Sequence, residues 1–207
     1  MSGQVRHSRE SVIQAAGKLF ALRGYHSTSM KDLGDELGLL KSSIYSHVSS
    51  KEDLLLEVVR RGERLFNESA QRALDASSDD TGRLRALIRG HLEVILDHRD
   101  EASTFLNEAR ALEEPYREAV IAARDRYEAI FRQAIGERVA AGEFDRRVDP
   151  VMAGIFILSI LNSVGRWYRP DGALDLEDLT EQIWDFVSSG LLQTAGGADL
   201  QAAGPQR

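Results

Sequence analysis

Residues Gly38–Leu55 read GLLKSSIYSHVSSKEDLL and combine a narrow apolar stripe with a polar face. Ile44, Tyr45 and Val48 recur at near-helical spacing, followed by Leu54. This spacing predicts a short helix that is held against a core along one side only. The other side carries small or hydrogen-bonding side chains, namely Lys41, Ser42, Ser43, Ser46 and His47.

An amphipathic segment ends at Gly38 just before this stretch, so together they predict a helix-turn-helix unit. The second helix of such a unit enters the DNA major groove, where a small, polar outer face is required. We expect it to cover residues 41–47, with a long helix over 51–76 behind it. Lys51 starts that long helix, where free backbone N–H groups also favour an anion. An exposed helical hairpin with no DNA partner has the same pattern and remains an alternative here.

Helical periodicity extends along the rest of the chain, and no alternating strand pattern persists. Turn residues and helix caps, such as Asp149-Pro150, divide the pattern into about nine helices. We predict an all-α fold in which a three-helix helix-turn-helix domain (1–50) precedes a larger helical bundle (51–194). The segment 195–207 is rich in Gly, Ala and Gln and predicts a disordered tail.

The 207-residue chain contains no cysteine, which excludes disulfides, thiolate zinc sites and cysteine nucleophiles. We expect a soluble cytoplasmic protein without a membrane partner, since the N-terminus lacks an apolar signal segment and Val151–Leu161 is too short to span a bilayer. The net charge of −7 is unevenly spread, with +2 over residues 1–64 and −9 over residues 65–207. A basic head on an acidic body fits a chain that contacts phosphate at one end.

Residues 12–58 resemble the DNA-binding domain of the TetR family of transcriptional repressors. The similarity lies in IQAAGKLFALRGYHSTSMKDLGDELG (13–38) and SSIYSHVSSKEDLL (42–55). The chain departs from the usual family pattern at Leu33-Gly34, at Val48, and at Leu40, where the usual N-cap serine of the recognition helix is missing. These departures leave the operator sequence open.

The resemblance implies a division of labour among the DNA contacts, in which phosphate contacts position the protein and base contacts provide specificity. It implies base-edge contacts from Lys41, Ser42, Ser43 and Ser46. The residues that it assigns to phosphates or the surrounding DNA surface are Thr28, Ser29, Tyr45, His47 and Lys51. Arg6 and Arg9 either reach the DNA backbone or belong to a flexible start.

One recognition helix reads too few base pairs for useful specificity, so we expect a two-fold homodimer on a palindromic double-stranded DNA operator. The most apolar helical segments are 151–168 and 176–192. Gly154, Ser159 and Ser163 in the first would allow close approach of a partner. We predict that these two segments form a four-helix interface with their copies, although ordinary core helices have similar composition.

Polar and aromatic residues within apolar helices are candidates for a small-molecule site. At the end of the 151–168 segment, an arginine and a tryptophan could hold a phosphate and stack on a flat ring. The same arginines could equally be helix-end surface charges. The candidates are Asn107, Glu108, Arg110, Tyr116, Tyr127, Phe131, Asn162, Arg166, Trp167 and Arg169.

The body segments NEARAL (107–112), GEFDRRVDP (142–150) and NSVGRWYRPDG (162–172) are similar to TetR-family repressors of fatty-acid and steroid-ring catabolism. This resemblance implies an acyl-CoA thioester that releases the repressor from DNA, with Arg166, Trp167 and Arg169 near the CoA phosphates or adenine. The alternative is a TetR-type efflux regulator that senses a hydrophobic drug, with Glu108 beside Tyr127 or Phe131.

The catalytic motifs of helical and other enzymes are missing from the sequence, including Glu-x-x-His pairs, His-Glu-x-x-His and the phosphate-binding P-loop. We therefore expect no enzyme activity, no catalytic or metal-binding residues and no cofactor. A DNA-binding protein without any effector remains open, although the large body disfavours it.

Overall fold

The computed structural model describes residues 8–76 and 80–192, and within these ranges the chain forms nine α-helices and no strand. The all-α prediction is confirmed. Arg6 and the predicted tail 195–207 lie outside the described residues, and the boundary between residues 50 and 51 stays a prediction. The helices are α1 (Arg9–Arg23), α2 (Met30–Leu37), α3 (Lys41–Ile44), α4 (Lys51–Ala76), α5 (Asp80–Asp97), α6 (Arg99–Ser103), α7 (Tyr116–Ala141), α8 (Pro150–Trp167) and α9 (Leu176–Leu191).

The first three helices form a compact head around buried apolar side chains of α1, α2 and α3, closed by Leu54 and Leu55 of α4. The turn between α2 and α3 contains Gly38 at φ 64°, a left-handed conformation that glycine adopts without strain. At Gly34, an added Cβ would lie 2.6 Å from the carbonyl oxygen of Leu39. The departure from the family pattern at this position therefore lets the turn approach α2 closely.

Helix α3 ends at Ile44, so the predicted helix over 41–47 is wrong at its C-terminal end. Residues 45–47 continue as a turn in which the His47 N–H donates to the Ile44 carbonyl at 2.9 Å. The Ser46 hydroxyl also donates to the Ser43 carbonyl at 2.7 Å. This local side-chain bond competes with continuation of the helical ladder.

Helix α4 belongs to both halves of the molecule. Its 26 residues make it about 39 Å long at 1.5 Å per residue. Leu54 and Leu55 near its start lie in the head, whereas Phe66 lies among aromatic rings of the body. The body completes its bundle with α5 and α7, which pack on α4 and on each other, with α8, which packs on α5 and α7, and with α9, which packs on α5.

The segment between α6 and α7 does not continue as an α-helix. After α6 the chain forms a π-helical turn, Thr104–Glu108, and then a 3₁₀ turn, Ala109–Ala111. The π-helical turn packs closely on α4, because a Cβ added at Gly62 would lie 2.7 Å from Phe105 Cβ and from the Glu101 carbonyl oxygen. Such turns are rare and occur frequently at functional sites.

Helices α8 and α9 flank one groove and leave large apolar side chains uncovered. Phe156 is 58% exposed and Phe186 is 72% exposed. By length and composition, α8 is also the one described helix that could cross a membrane, and 28% of its residues are buried. An apolar face of this size indicates an interaction surface.

Candidate nucleic-acid interface and effector cavity

The short helix α3 has the two faces that the sequence predicts. Ile44 is fully buried behind it, whereas Lys41, Ser42, Tyr45 and Ser46 are exposed. The predicted base-contacting residue Ser43 is half-buried at the edge of this face. Hydroxyl and ammonium groups therefore point outward from a rigid support, as major-groove contact requires.

Lys51 lies at the first position of α4, beside the turn that follows α3. Its Nζ atom is 4.0 Å from the centre of the Tyr25 ring, so the cation is held against an aromatic face. Partial burial lowers the pKa of Lys51, although the carboxylate of Asp32 acts in the opposite direction. His47 is half-buried in the intervening turn. This arrangement presents positive charge at a helix N-terminus, which suits a phosphate.

The predicted phosphate contact of Thr28 is wrong for its side chain, which is 1% exposed. Its hydroxyl donates to the Gly24 carbonyl at 3.0 Å and closes the turn after α1. Ser29 is exposed, but its hydroxyl caps α2 by accepting the Asp32 N–H at 3.2 Å. Thr28 is therefore a structural residue, and Ser29 stays a predicted contact.

Leu40 was not predicted as a DNA contact, yet it is 76% exposed just before α3. Residues at the N-terminal end of a recognition helix face base edges, and apolar side chains contact thymine methyl groups there. The missing N-cap serine at position 40 is the signal in the sequence that could have drawn attention to the Leu40 side chain.

The body contains two adjoining cavities. The inner cavity has a volume of about 220 Å³ and lies among α4, α5, α7, α8 and the π-helical turn. The outer cavity has a volume of about 310 Å³ and lies between α6, α7 and α8. Three residues line both cavities and form what we call the neck: Leu106, Arg124 and Asn162.

The inner cavity is largely apolar and aromatic. Its apolar wall consists of Phe66, Phe105, Leu106, Tyr127, Ile155 and Leu158. Asp125 and Glu128 of α7 also border it, with Asp125 exposed. This composition is typical of a pocket for an apolar group.

A buried histidine is part of the inner cavity. His91 is 2% exposed, and its ring lies 4.7 Å from the Phe66 ring, centre to centre. Its Nδ1 is 3.1 Å from the Tyr127 hydroxyl, and its Nε2 is 3.1 Å from Asn162 Oδ1. Burial lowers the pKa of His91 to about 3, against a smaller opposite effect of the Asn162 hydrogen bond. His91 is therefore neutral at pH 7. Burial also raises the pKa of Tyr127, which keeps its proton.

The outer cavity is lined by three arginines, Arg99, Arg124 and Arg166, and by no acidic residue of the described chain. Arg124 donates through Nη2 to the Phe105 carbonyl and stacks over the Phe105 ring at 5.1 Å. Burial lowers the pKa of Arg124, but a guanidinium remains charged at pH 7. The outer cavity therefore favours an anion.

The structure places only some of the predicted ligand residues in the two cavities. Tyr127 lines the inner cavity, Asn107 and Arg166 line the outer cavity, and Asn162 lines both. Phe131 is buried behind the Tyr127 ring at 5.6 Å between centres. Exposed residues outside both linings are Arg110, Tyr116, Trp167 and Arg169.

Glu108 also lies outside the two cavities, so its predicted pairing with Tyr127 or Phe131 is wrong. Its carboxylate accepts the backbone N–H of Tyr25 in the head at 3.1 Å. The broken helix places Glu108 in the π-helical turn, which turns its side chain toward α1. Glu108 therefore joins the body to the head.

His91, Arg99 and Arg124 line the cavities but were not predicted as ligand residues. Arg99 and Arg124 stand among charged or polar neighbours in an ordinary amphipathic pattern, so nothing local marks them. His91 alone gave a signal, because it occupies an apolar face between Ile88 and Ile95.

Two family models match this sequence. Residues 12–58 match "Bacterial regulatory proteins, tetR family", and residues 77–191 match "Tetracyclin repressor-like, C-terminal domain". The chain belongs to the TetR family. It is a DNA-binding transcriptional regulator of the tetracycline-repressor type, and this family consists of regulators rather than enzymes.

Relatives of this TetR-family chain support the assignment over about nine tenths of its length. The transcriptional repressor KstR2 of Mycolicibacterium smegmatis is 28% identical, over 91% of this chain and 92% of its own. The structure of the ketosteroid transcriptional regulator KstR2 of Mycobacterium tuberculosis has a TM-score of 0.84 at 25% identity, covering 93% of this chain and 99% of that one. AibR in complex with isovaleryl coenzyme A and operator DNA has a TM-score of 0.77 at 26% identity, covering 89% and 97%.

The neutral state of His91 predicts a dependence of stability on pH. The unfolded chain takes up a proton on this histidine below an ordinary pKa of about 6.5, whereas the folded chain resists protonation down to a pKa of about 3. Stability contributed by His91 is therefore complete above pH 6.5 and is lost as the pH falls. Between pH 7 and pH 5, the loss in free energy of unfolding attributable to His91 is about 2 kcal/mol.

Urea unfolding of the natural protein and of His91→Leu at both pH values measures this difference. An equal loss of unfolding free energy between pH 7 and pH 5 in the two proteins would contradict this prediction. A measurement that needs no variant is an NMR titration, in which the His91 ring signals should not shift between pH 8 and pH 5.

Proposed function

We propose that this protein is a homodimeric cytoplasmic repressor that binds a palindromic operator and is released by a short acyl-CoA thioester. The observation that carries the proposal is the neck, where an apolar inner cavity meets an outer cavity lined by three arginines. An acyl-CoA has the same order of parts: an apolar acyl group, a thioester, and a long polar arm with phosphates. Guanidinium groups bind phosphates through paired, charge-assisted hydrogen bonds.

The size of the inner cavity limits the acyl group. A dry cavity of about 150 Å³ binds benzene. The inner cavity of about 220 Å³ therefore accommodates an acyl group of about eight carbon atoms. This volume fits a short, branched or single-ring acyl group.

Two relatives support an effector of this class. AibR is named as a complex with isovaleryl coenzyme A, and KstR2 as a ketosteroid regulator. An efflux regulator that senses a cationic drug is less well supported, because Glu108 is directed to the head and arginines line the outer cavity. Asp125 and Glu128 at the inner cavity are the observation that would favour it.

The head and the cavities are joined through two elements, α4 and the π-helical turn, that a ligand in the inner cavity would contact. Phe66 of α4 and Phe105 of the π-helical turn both line the inner cavity. The same turn holds the head through the Glu108–Tyr25 hydrogen bond, and Arg61 of α4 pairs with Glu101 at 3.1 Å. A ligand that separates α4 from the π-helical turn would move α3 relative to its copy. Release requires that the ligand binds this moved state more tightly than the DNA-bound state.

Effector release is tested on an operator selected from random DNA with the purified protein. We expect isovaleryl-CoA to weaken operator binding at least tenfold, measured by fluorescence anisotropy, because the thioester binds preferentially to the released state. Coenzyme A alone and isovalerate alone should have little effect, since each fills one cavity only. Release by a cationic dye, without release by any acyl-CoA, would overturn the proposed effector in favour of the efflux regulator.

The phosphate contact proposed for Lys51 is tested by Lys51→Met, which keeps the aliphatic stem and removes the charge. We expect weaker binding to all DNA sequences, and a slope of log K against log salt that is smaller by about one. The matched control is Arg126→Ala, which removes one exposed charge from α7 in the body, where it pairs with Glu63 of α4 at 3.8 Å. An unchanged salt slope in Lys51→Met would remove this residue from the interface.

The exposed faces of α8 and α9 support the proposed dimer. They carry Val151, Met152, Ile155 and Phe156 on α8 and Phe186 on α9, all exposed. Members of the TetR family bind DNA as dimers, and a second copy would cover these side chains. Ile155 also lines the inner cavity, so the partner would lie beside the ligand. A second copy on this face would also bury the apolar side chains of α8, so no membrane is required to do so.

The dimer interface is tested by Phe186→Glu, which places an unpaired charge in an apolar contact. Aromatic residues at the centre of an interface contribute at least about 2 kcal/mol, so dimer dissociation should increase thirtyfold or more, and sedimentation should show monomers at micromolar concentration. The control is Ile121→Glu on α7, since Ile121 is 50% exposed outside the proposed interface. If Phe186→Glu and Ile121→Glu both remain dimeric, α9 is excluded from the interface.

A further inference from the structure

Asn162 has a fixed orientation at the neck. Its Oδ1 is 3.1 Å from His91 Nε2. An amide oxygen only accepts hydrogen bonds, so the proton of this bond belongs to His91. A neutral imidazole has a single N–H, and its Nδ1 therefore accepts from the Tyr127 hydroxyl at 3.1 Å. The order of donation runs from Tyr127 to His91 to Asn162.

This order leaves the amide nitrogen of Asn162 available. Among the described residues, Nδ2 has no hydrogen-bond partner, and it is not one of their buried unpaired atoms. It therefore has two N–H donors at the surface of the neck. The other polar side chain of the neck is Arg124, whose Nε is also unpaired but has almost no accessible surface. Its Nη2 is already bonded to the Phe105 carbonyl, which leaves Nη1 for the phosphates of the outer cavity.

We infer that Asn162 Nδ2 donates a hydrogen bond to the thioester carbonyl of the bound acyl-CoA, and that His91 and Tyr127 are positioning residues that hold the amide in this orientation. The inference rests on the proposed function and adds the recognition of one functional group. With the acyl group in the inner cavity and the phosphates in the outer cavity, the carbonyl lies at the neck. A donor that is oriented before binding loses little freedom when the ligand arrives.

The test compares two ligands on the natural protein by titration calorimetry. They are isovaleryl-CoA and the S-isopentyl-CoA thioether, in which a CH₂ group replaces the carbonyl. We expect the thioester to bind about tenfold more tightly, as one hydrogen bond to a carbonyl requires. This ratio should fall to about one in Asn162→Ala.

The matched control is Ser163→Ala, one position further along α8. Ser163 lines neither cavity and donates to the Ile160 carbonyl at 2.7 Å. Its variant should keep the tenfold ratio. His91→Leu should lose the ratio although Asn162 is still present, which a merely structural role of His91 would not produce.

The outcomes separate this inference from the proposed function. If neither CoA compound binds the natural protein, the proposed effector is wrong and the inference falls with it. If both bind with equal affinity, the effector class stands and Asn162 does not bind the carbonyl. A ratio that survives in Asn162→Ala would likewise overturn the inference and assign recognition to another donor.

Discussion

The rigidity of α4 is the constraint on which coupling between the two halves depends. A helix bends sharply at low cost only at proline, at Gly/Ser pairs or at local bulges, and α4 has no proline. Its one glycine, Gly62, is used for close contact with the π-helical turn rather than for a bend. A displacement of Phe66 by a ligand would therefore be transmitted along the helix to Lys51, which lies beside the face predicted to contact DNA.

Local signals were sufficient to predict most of the fold. The helix start at Asp149-Pro150 and the helix end at Gly38 are set by neighbours in the chain, and both occur as expected. The break after α6 could not be predicted in this way. It depends on packing of Phe105 against Gly62, which is distant in sequence. The end of α3 depends on a single hydroxyl, that of Ser46, whose bond competes with a helical one.

The face predicted to contact DNA was easier to identify from the sequence than the cavity. Lys41 and Ser42 lie on the short helix α3 and Ser46 lies in the turn directly after it, so their shared exposure follows from positions close together in the sequence. The cavity instead collects residues from five elements, and the spacing between His91, Arg124 and Asn162 has no local pattern. Among the predicted ligand residues, Asn162 was identified as a polar group in an apolar helix, whereas its hydrogen bond with His91 joins residues that are distant in sequence.

Helix α8 has two roles that meet within a few residues. Asn162 lies at the neck, and Ile155, two turns earlier, lies both in the inner cavity and on the exposed apolar face. In a dimer joined through this face, the two effector cavities would lie on opposite sides of a single interface. Occupancy of one subunit would then be felt by the other, because the two α8 helices share one contact. Such an arrangement gives a regulator a steep, switch-like dose response from two modest binding events.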